Sequence, residues 1–391
     1  MDNTVSRLYN IQFWLLCASN FLFSASFQML LPELPDYLTA MGGAEYKGWI
    51  LALFTLTAGV SRPFSGKLTD TIGRVPIMVL GSMVCVVCSA LYPFITTVAG
   101  FLLLRLFHGF STGFKPTATS AYVADVVPFY RRGEAMSVLG MSSSIGMSVA
   151  PIVGSAITGW IGINGLFAIS SVFALLSVLI LVKNMDETLE KPQPFSFKLL
   201  KINRFEIFEP KAMPTFVVQF LVSFGSGAVL TLVPDMSKHL NIANKGLFFG
   251  VYTFSSLIIR LLAGKSSDKY GRVFVLKYSS LVMAISLLLI AWAHSFWTLM
   301  FAAVVFGLSW GMNTPTLQAW AVDLSPEESR GRGLATMFIA LEAGIGLGAL
   351  FSQALYQNDV TKMALPFYVC AILAFISAIY LFFQPELRLN R

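Results

Sequence analysis

Charge is scarce in this sequence. Of its 391 residues only 12% are Asp, Glu, Lys or Arg, while 56% are hydrophobic and the mean hydropathy is +0.72. A soluble chain of this length needs far more charge on its surface, so a water-exposed globular fold is excluded. Histidine and cysteine are few as well, at three and four. Cys17, Cys85, Cys88 and Cys370 fall in apolar runs, and the Cys85–Cys88 CxxC has no neighbouring His or acid. The expectation is small packing residues rather than a metal or redox centre. No P-loop or other nucleotide signature occurs, so an ion gradient replaces ATP as the expected energy source and no cofactor is called for. Polar–apolar alternation, the mark of a membrane barrel, is missing too. No nucleophile–His–acid set converges at one depth, which argues against an enzyme.

What the sequence has instead is apolar length. Twelve runs are long enough to cross about 30 Å of hydrocarbon as helices, at 11–31, 47–67, 75–96, 99–123, 135–159, 163–183, 213–234, 246–263, 273–293, 297–321, 334–356 and 363–383. Helices are required because backbone polar groups in lipid must be satisfied within each segment. The first run is long and is followed by Pro32 and Pro35 with no convincing cleavage site, so it reads as a span rather than a secretory signal. Basic residues set the orientation. With both termini in the cytoplasm, nearly all of the loop Lys and Arg lie inside, and only Lys47, Lys238, Lys245 and Lys362 lie outside. The net charge of +7 is thus topological and does not point to nucleic acid.

The chain also repeats itself. A shift of 198 places Arg62, Gly66, Asp70, Gly73 and Arg74 on Arg260, Gly264, Asp268, Gly271 and Arg272. The same shift carries Gly109, Gly113, Asp125, Pro128, Arg132, Gly133 and Gly146 onto Gly307, Gly311, Asp323, Pro326, Arg330, Gly331 and Gly344. A shift of 199 carries Asn20, Ser24, Pro35 and Asp36 onto Gln219, Ser223, Pro234 and Asp235. An offset of half the chain means a duplicated six-helix unit. The expected division is a bundle over 1–183, a polar cytoplasmic linker over 184–212 and a second bundle over 213–391. An amphipathic surface helix is expected near Phe197–Phe208.

Each copy holds a tight hairpin between spans, GKLTDTIGR and GKSSDKYGR. Gly73 can take positive φ at the turn. Asp70, at the cytoplasmic end of the second span, would find a partial positive charge at the start of the eleventh. Docked there it would latch the halves shut on that side, as would Asp268 at the start of the fifth. The pattern Gly66-x3-Asp70-x2-Gly73-Arg74 and its twin resemble the paired signature loops of the major facilitator superfamily, and the likeness extends from the first span to the last. The resemblance implies an all-α membrane protein of two pseudo-symmetric six-helix bundles that transports by alternating access. Within the family the chain resembles bacterial efflux-type members, which implies a bacterial inner-membrane location and exchange of substrate for protons. Arg105, His108 and Gly109 resemble a fourth-helix motif whose Arg is associated with proton coupling, although His108 stands where Gln is usual. Gly146, Pro151 and Gly154 resemble a fifth-helix antiporter motif, with Ala150 and Ser155 replacing two customary glycines. Pro151 leaves the Met147 carbonyl without its N–H partner and kinks the helix.

In the fourth span Arg105, His108, Thr112, Lys115, Thr119 and Tyr122 recur every three or four residues and share one face. A face this polar cannot meet lipid, so it lines water or a partner helix. Asn20, Ser24 and Gln28 form a polar face on the first span, Gln219, Ser223 and Ser226 on the seventh, and Trp310 and Asn313 lie on the tenth. In the family fold these helices surround a cavity. Glu342 is the deep acid, about 12 Å in, level with Lys115, and a Lys115–Glu342 bridge, permanent or switched by proton or substrate, is expected. Asp36, at the mouth, is a further proton-coupling candidate. Arg105 and Lys115 on the cavity face would favour an anionic or zwitterionic substrate. The resulting expectation is a monomer in lipid that exports a small amphipathic metabolite or drug in exchange for protons. The alternatives are a proton symporter importing a nutrient and, from another class, a receptor that binds ligand without moving it.

Overall fold

A computed structural model describes residues 11–127, 132–201, 207–326 and 329–385. The expected spans appear as helices. In the first half these are α1 (Ile11–Gln28), α2 (Lys47–Thr71), α3 (Arg74–Leu91) and α4, made of Val98–His108 and Phe110–Val126 joined at Gly109. One hydrogen-bonded run, Arg132–Asn184, is broken at Gly162 (φ 78°) into α5 and α6. The second half comprises α7 (Met213–His239), α8 (Leu247–Tyr270), α9 (Arg272–Ala291), α10 (Phe296–Leu324), α11 (Arg330–Tyr356) and α12 (Leu365–Phe382). A short helix, Leu34–Ala40, follows α1.

Helix ends repeat between halves. Gly73 (φ 135°) and Gly271 (φ 96°) make the turns into α3 and α9 with backbone angles that L side chains avoid. Thr97 caps α4 by accepting from Gly100 N, and Ser295, 198 residues on, caps α10 by accepting from Thr298 N. Close packing repeats as well. A Cβ on Gly109 would overlap the Phe54 carbonyl of α2, and one on Gly307 the Tyr252 carbonyl of α8. Gly146 lies against Phe21 of α1, and Gly344 against Phe220 of α7. The glycines seen as repeats are places where one backbone leans on another.

Outward faces are apolar. Leu103, Phe107, Leu179, Phe301 and Phe375 are exposed, an arrangement that water would punish and hydrocarbon accepts. The linker runs along the first bundle, where Gln193 N donates to Thr71 O (2.8 Å) and Lys67 Nζ to Lys201 O (2.7 Å). At Phe197–Leu200 it forms a 3-10 turn, and the middle of the expected surface helix, residues 202–206, lies outside the described residues. Between the halves, α2 packs on α11 and α5 on α8.

These contacts predict an ordering of glycine substitutions. Gly109→Ala should lower the thermal unfolding midpoint in detergent, destabilising by about 1–3 kcal/mol as α4 is pushed off α2. Gly140→Ala, whose added methyl meets nothing within 4 Å, should be neutral or slightly stabilising. Equal midpoints for the two variants would contradict the packing described.

Candidate functional site: a one-sided cavity and its gate

A cavity of about 750 Å³ lies between the halves and is lined by both. Its aromatic wall includes Phe27, Phe54, Tyr252, Phe306, Trp310 and Phe338. Phe306 and Trp310 stack at 6.4 Å with planes 6° apart, and Tyr252 stands edge-on to Phe306 at 5.3 Å. Asn20, Ser24 and Gln28 of α1 line the cavity as well. Asn20 Nδ2 is anchored by Leu139 O (3.2 Å) and Ser143 Oγ (2.5 Å) of α5. The charged lining residues are Arg62, Arg260 and Glu342.

One face is shut by two copies of the same ion pair. Lys47 at the start of α2 crosses to Asp235 near the end of α7 (2.5 Å). Lys245, which precedes α8, crosses to Asp36 (2.6 Å) and Glu33 (3.0 Å). Lys47 and Lys245 are related by 198, and Asp36 and Asp235 by 199, so the halves exchange equivalent charges. Backbone contact reinforces each copy: Gly48 lies against Ala349 O and Gly246 against Pro151 O. Pro151 of the antiporter-like motif thus sits at the seam between halves, while Gly146 and Gly154 meet α1 at Phe21 and Met29. Ser155 Oγ donates to Glu33 Oε1 (2.5 Å).

From that face the crossing contacts run inward to Arg62 and Arg260. Arg62 Nη2 donates to Glu342 Oε1 (2.8 Å), with its guanidinium 4.7 Å from the Phe338 ring. Arg260 Nη1 donates to Ser144 Oγ (3.2 Å). Beyond this level Gly66 and Gly140 have open space at their Cβ positions, and the cavity lining continues to Met136 and Leu334 near the starts of α5 and α11, toward the Asp70 hairpin.

Asp70 itself is 70% exposed and bonded to Arg74 (3.2 Å), not to α11. The hairpins are held within their own halves: Arg74 Nε donates to Asp125 (2.9 Å) and Arg272 Nε to Asp323 (2.9 Å). Glu187, at the start of the linker, accepts from Arg74 N and Val75 N, both 2.9 Å, and caps α3. The side-chain surroundings of Gly264 and Asp268 lie outside the described residues, although both positions are helical.

The basic face of α4 requires a correction. Arg105, His108 and Lys115 are fully buried inside the first bundle and do not line the cavity. Lys115 Nζ spends its three donors on Ser19 O (3.0 Å), Ser19 Oγ (3.0 Å) and Ser177 Oγ (2.5 Å), beneath the Phe23 ring. It does not meet Glu342, whose partner is Arg62. Arg105 donates to Ile50 O (3.1 Å) and Tyr92 Oη (3.3 Å) and stacks on Phe54. His108 bridges Tyr92 Oη (3.0 Å) and Cys85 Sγ (3.2 Å). In the second bundle Gln219 Nε2 is turned to Ser223 Oγ (2.6 Å), Asn313 bonds Ser309, and neither lines the cavity, whereas Trp310 does. The stripe avoids lipid as required: Thr112 and Thr119 line the cavity, while neighbouring helices of its own bundle cover the three basic residues and Tyr122. Sequence reasoning missed Lys47, Lys245, Arg260 and Ser144 as site residues. Applying the half-chain shift to the loop lysines would have found the gate.

Two related bundles around a cavity open on one side define a membrane transporter. The chain belongs to the Major Facilitator Superfamily, whose family model matches residues 16–211 and 215–390. It is 26% identical over 350 residues to the multi-drug resistance efflux pump PmrA of Streptococcus pneumoniae serotype 4, covering 86% of each chain. It is 23% identical over 383 residues to the multidrug resistance protein MdtG of Enterobacter lignolyticus, covering 94% of this chain and 90% of MdtG. Among solved structures, a D-xylose–proton symporter shares the fold with a TM-score of 0.76 at 17% identity, covering 97% and 99%.

The gate carries a pH prediction. Burial alone would raise the Asp36 carboxyl, but the bond and charge of Lys245, with Lys238 nearby, hold it below its ordinary 3.8. Burial would lower the Lys245 ammonium, yet the Asp36 bond and the Glu33 and Asp36 charges hold it above 10.5. A lowered acid stabilises the closed gate above 3.8 and loses that contribution as pH falls; a raised base does so below 10.5 and loses it as pH rises. Labelling of a cysteine placed at Gln28 from the Lys47 face should therefore be low and unchanged across neutral pH. Lys47→Ala with Lys245→Ala should raise it several-fold. Labelling that is pH-dependent near neutrality, or unaltered by the double change, would refute the gate.

Proposed function

We propose that this chain is a proton-coupled exporter of small amphipathic metabolites or drugs that works by alternating access as a monomer. The observation that carries this reading is the one-sided cavity between duplicated bundles, closed by ion pairs that can separate without unfolding either half. The basic residues of the Asp70 face assign it to the cytoplasm, so the cavity is loaded from inside and both termini lie there. The relatives named as multidrug efflux proteins support export. The aromatic wall suits a flat, greasy solute, because ring faces contribute about 0.5–1.5 kcal/mol beyond their buried area. The divisions at 1–183, 184–212 and 213–391 fit bundles that move as units about a tether.

In the opposite state the Lys47–Asp235 and Lys245–Asp36 pairs part, the Asp70 face closes, and Asp70 becomes free to dock at the start of α11. Glu342 is the proton site of this cycle. It is the one carboxylate in the cavity lining, and its partner Arg62 belongs to the other half, so the pair changes when the halves rock. Arg105 and His108 contribute by holding α2, α3 and α4 as one body.

The test uses proteoliposomes with a proton gradient and an amphipathic fluorescent dye as cargo. Wild type should move the dye uphill against the proton flow. Glu342→Gln should abolish uphill movement while downhill exchange persists, and Asp70→Asn should slow both severalfold with expression maintained. Uphill movement by Glu342→Gln equal to wild type would place coupling elsewhere, and dye movement with rather than against the protons would favour a symporter.

A further inference from the structure

The half-chain shift that pairs Arg62 with Arg260 also pairs Glu342 with Ser144. The geometry respects it: Arg62 crosses from α2 to Glu342 on α11, and Arg260 crosses from α8 to Ser144 on α5. The register is checked independently by Gly146 and Gly344, two residues beyond each partner, which meet Phe21 and Phe220 at equivalent points of α1 and α7. One position in the molecule therefore occurs twice, once with a carboxylate and once with a hydroxyl.

The charge consequence is specific. The cavity lining carries two guanidinium groups and one carboxylate. Arg62 is neutralised by Glu342 at 2.8 Å. Arg260 has no carboxylate partner among the described residues and holds one serine hydroxyl; its Nε, like that of Arg62, is buried with no hydrogen-bond partner. A desolvated cation without a counter-charge is expensive unless an anion completes it. A guanidinium fork with open donors matches a carboxylate, sulfonate or phosphate oxygen pair. Tyr252, two turns along α8 from Arg260, begins the aromatic wall that continues to Phe306 and Trp310.

We infer that Arg260 and Ser144 form an anion subsite, and that the transported compounds include amphipathic anions whose acid group takes the place that Glu342 occupies in the other half, with the apolar part against Tyr252, Phe306 and Trp310. This names a substrate class for the export reading and rests on it only for the word transported. The expected anionic preference is thereby kept but moved from Arg105 and Lys115, which the first bundle encloses, to a residue of the second half. Glu342 does not compete for Arg260, because Arg62 holds it.

Three probes of one shape separate charge from packing: 2-naphthoate, 2-naphthalenemethanol and 2-naphthylmethylammonium. Binding to the full chain in phosphatidylcholine nanodiscs is measured by titration calorimetry at low ionic strength. Naphthoate should bind about tenfold or more tightly than the alcohol, and the ammonium compound most weakly. Arg260→Gln should remove that tenfold advantage while alcohol binding stays within about twofold, and Arg260→Lys should keep part of it. Ser144→Glu, which removes no cation but gives this half the carboxylate the other already has, should abolish the preference as well. The Arg62–Glu342 pair indicates that the fold accommodates that change, so Ser144→Glu decides the matter if Arg260→Gln also loses the alcohol. Naphthoate binding no better than the alcohol, or a preference surviving Ser144→Glu, overturns the subsite. Dye export without Arg260-dependent naphthoate binding would likewise remove the subsite and leave the export reading intact. Arg260-dependent binding with no movement of naphthoate across the bilayer would support the subsite but overturn the claim that such anions are transported, leaving the export reading to the dye.

Discussion

A lysine of each half reaching an aspartate of the other is the interaction on which the rest of this arrangement depends. Lys47–Asp235 and Lys245–Asp36 bring the ends of α2 and α8 onto the opposite bundle. Because helices are stiff, joining two of them at one end and leaving the other free makes them diverge, and the gap between them is the cavity. The ion pairs are not the whole of the closure. Gly48 on Ala349 and Gly246 on Pro151 let backbones touch, which supplies packing that depends on shape. The charges then fix which residues meet. Lys47 and Asp235 are buried, at 6% and 8% exposed, and Lys245 is 16% exposed. In such pairs the attraction is largely offset by the cost of taking both charges out of water, so the pair as a unit closes the gate weakly although losing one partner alone is costly. That balance suits a gate that opens in every cycle.

Duplication made the frame, and divergence between the copies made the site. Glycines and turn residues that set helix approach are kept in both halves: Gly109 with Gly307, Gly146 with Gly344, Gly73 with Gly271. The polar interior is not. Lys115 corresponds to Asn313, His108 to Phe306 and Arg105 to Ala303. The first bundle therefore carries a buried basic core held by serines, a backbone carbonyl and Tyr92, with Arg105 Nη2 left without a hydrogen-bond partner, whereas the second is packed with aromatic and small residues. With no carboxylate nearby, those bases rely on hydrogen bonds and ring faces, which ties α1, α2, α3, α4 and α6 into one body. The second bundle contributes the stacked wall of the cavity. The two halves divide the work into a rigid shell and a binding surface.

Much of this could be read before any coordinates. Twelve spans, the half-chain repeat and the hairpin turns at Gly73 and Gly271 follow from apolar length and from residue types that few backbones tolerate. Asn20, Ser24, Gln28, Trp310 and Glu342 were legible as cavity residues. The face of α4 was not. A helical stripe of polar residues says only that lipid is avoided, and in a bundle of six helices two solutions satisfy that demand: the shared cavity or a neighbour in the same bundle. Lys115 takes the second because Ser19 and Ser177 stand opposite it, on helices far away in sequence. Asp70 was read as docked on α11, whereas here it is exposed and bonded to Arg74 of its own hairpin. Spacing along one chain cannot say which partner a side chain takes.

The position of the Arg62–Glu342 pair explains why one carboxylate could govern a movement of whole bundles. Arg62 is fifteen residues from Lys47 along α2, about 22 Å, and reaches Glu342 across the cavity lining. A charge pair at the gate would act only on closure of that face. On the proposed reading the Arg62–Glu342 pair is made in one arrangement and lengthened in the other, so it couples to the movement of both bundles. The equivalent point in the other half has Ser144, which does not titrate. On the proposed reading one arm of the duplicated hinge therefore senses protons, and the other, with Arg260 left uncompensated, is free to sense the cargo.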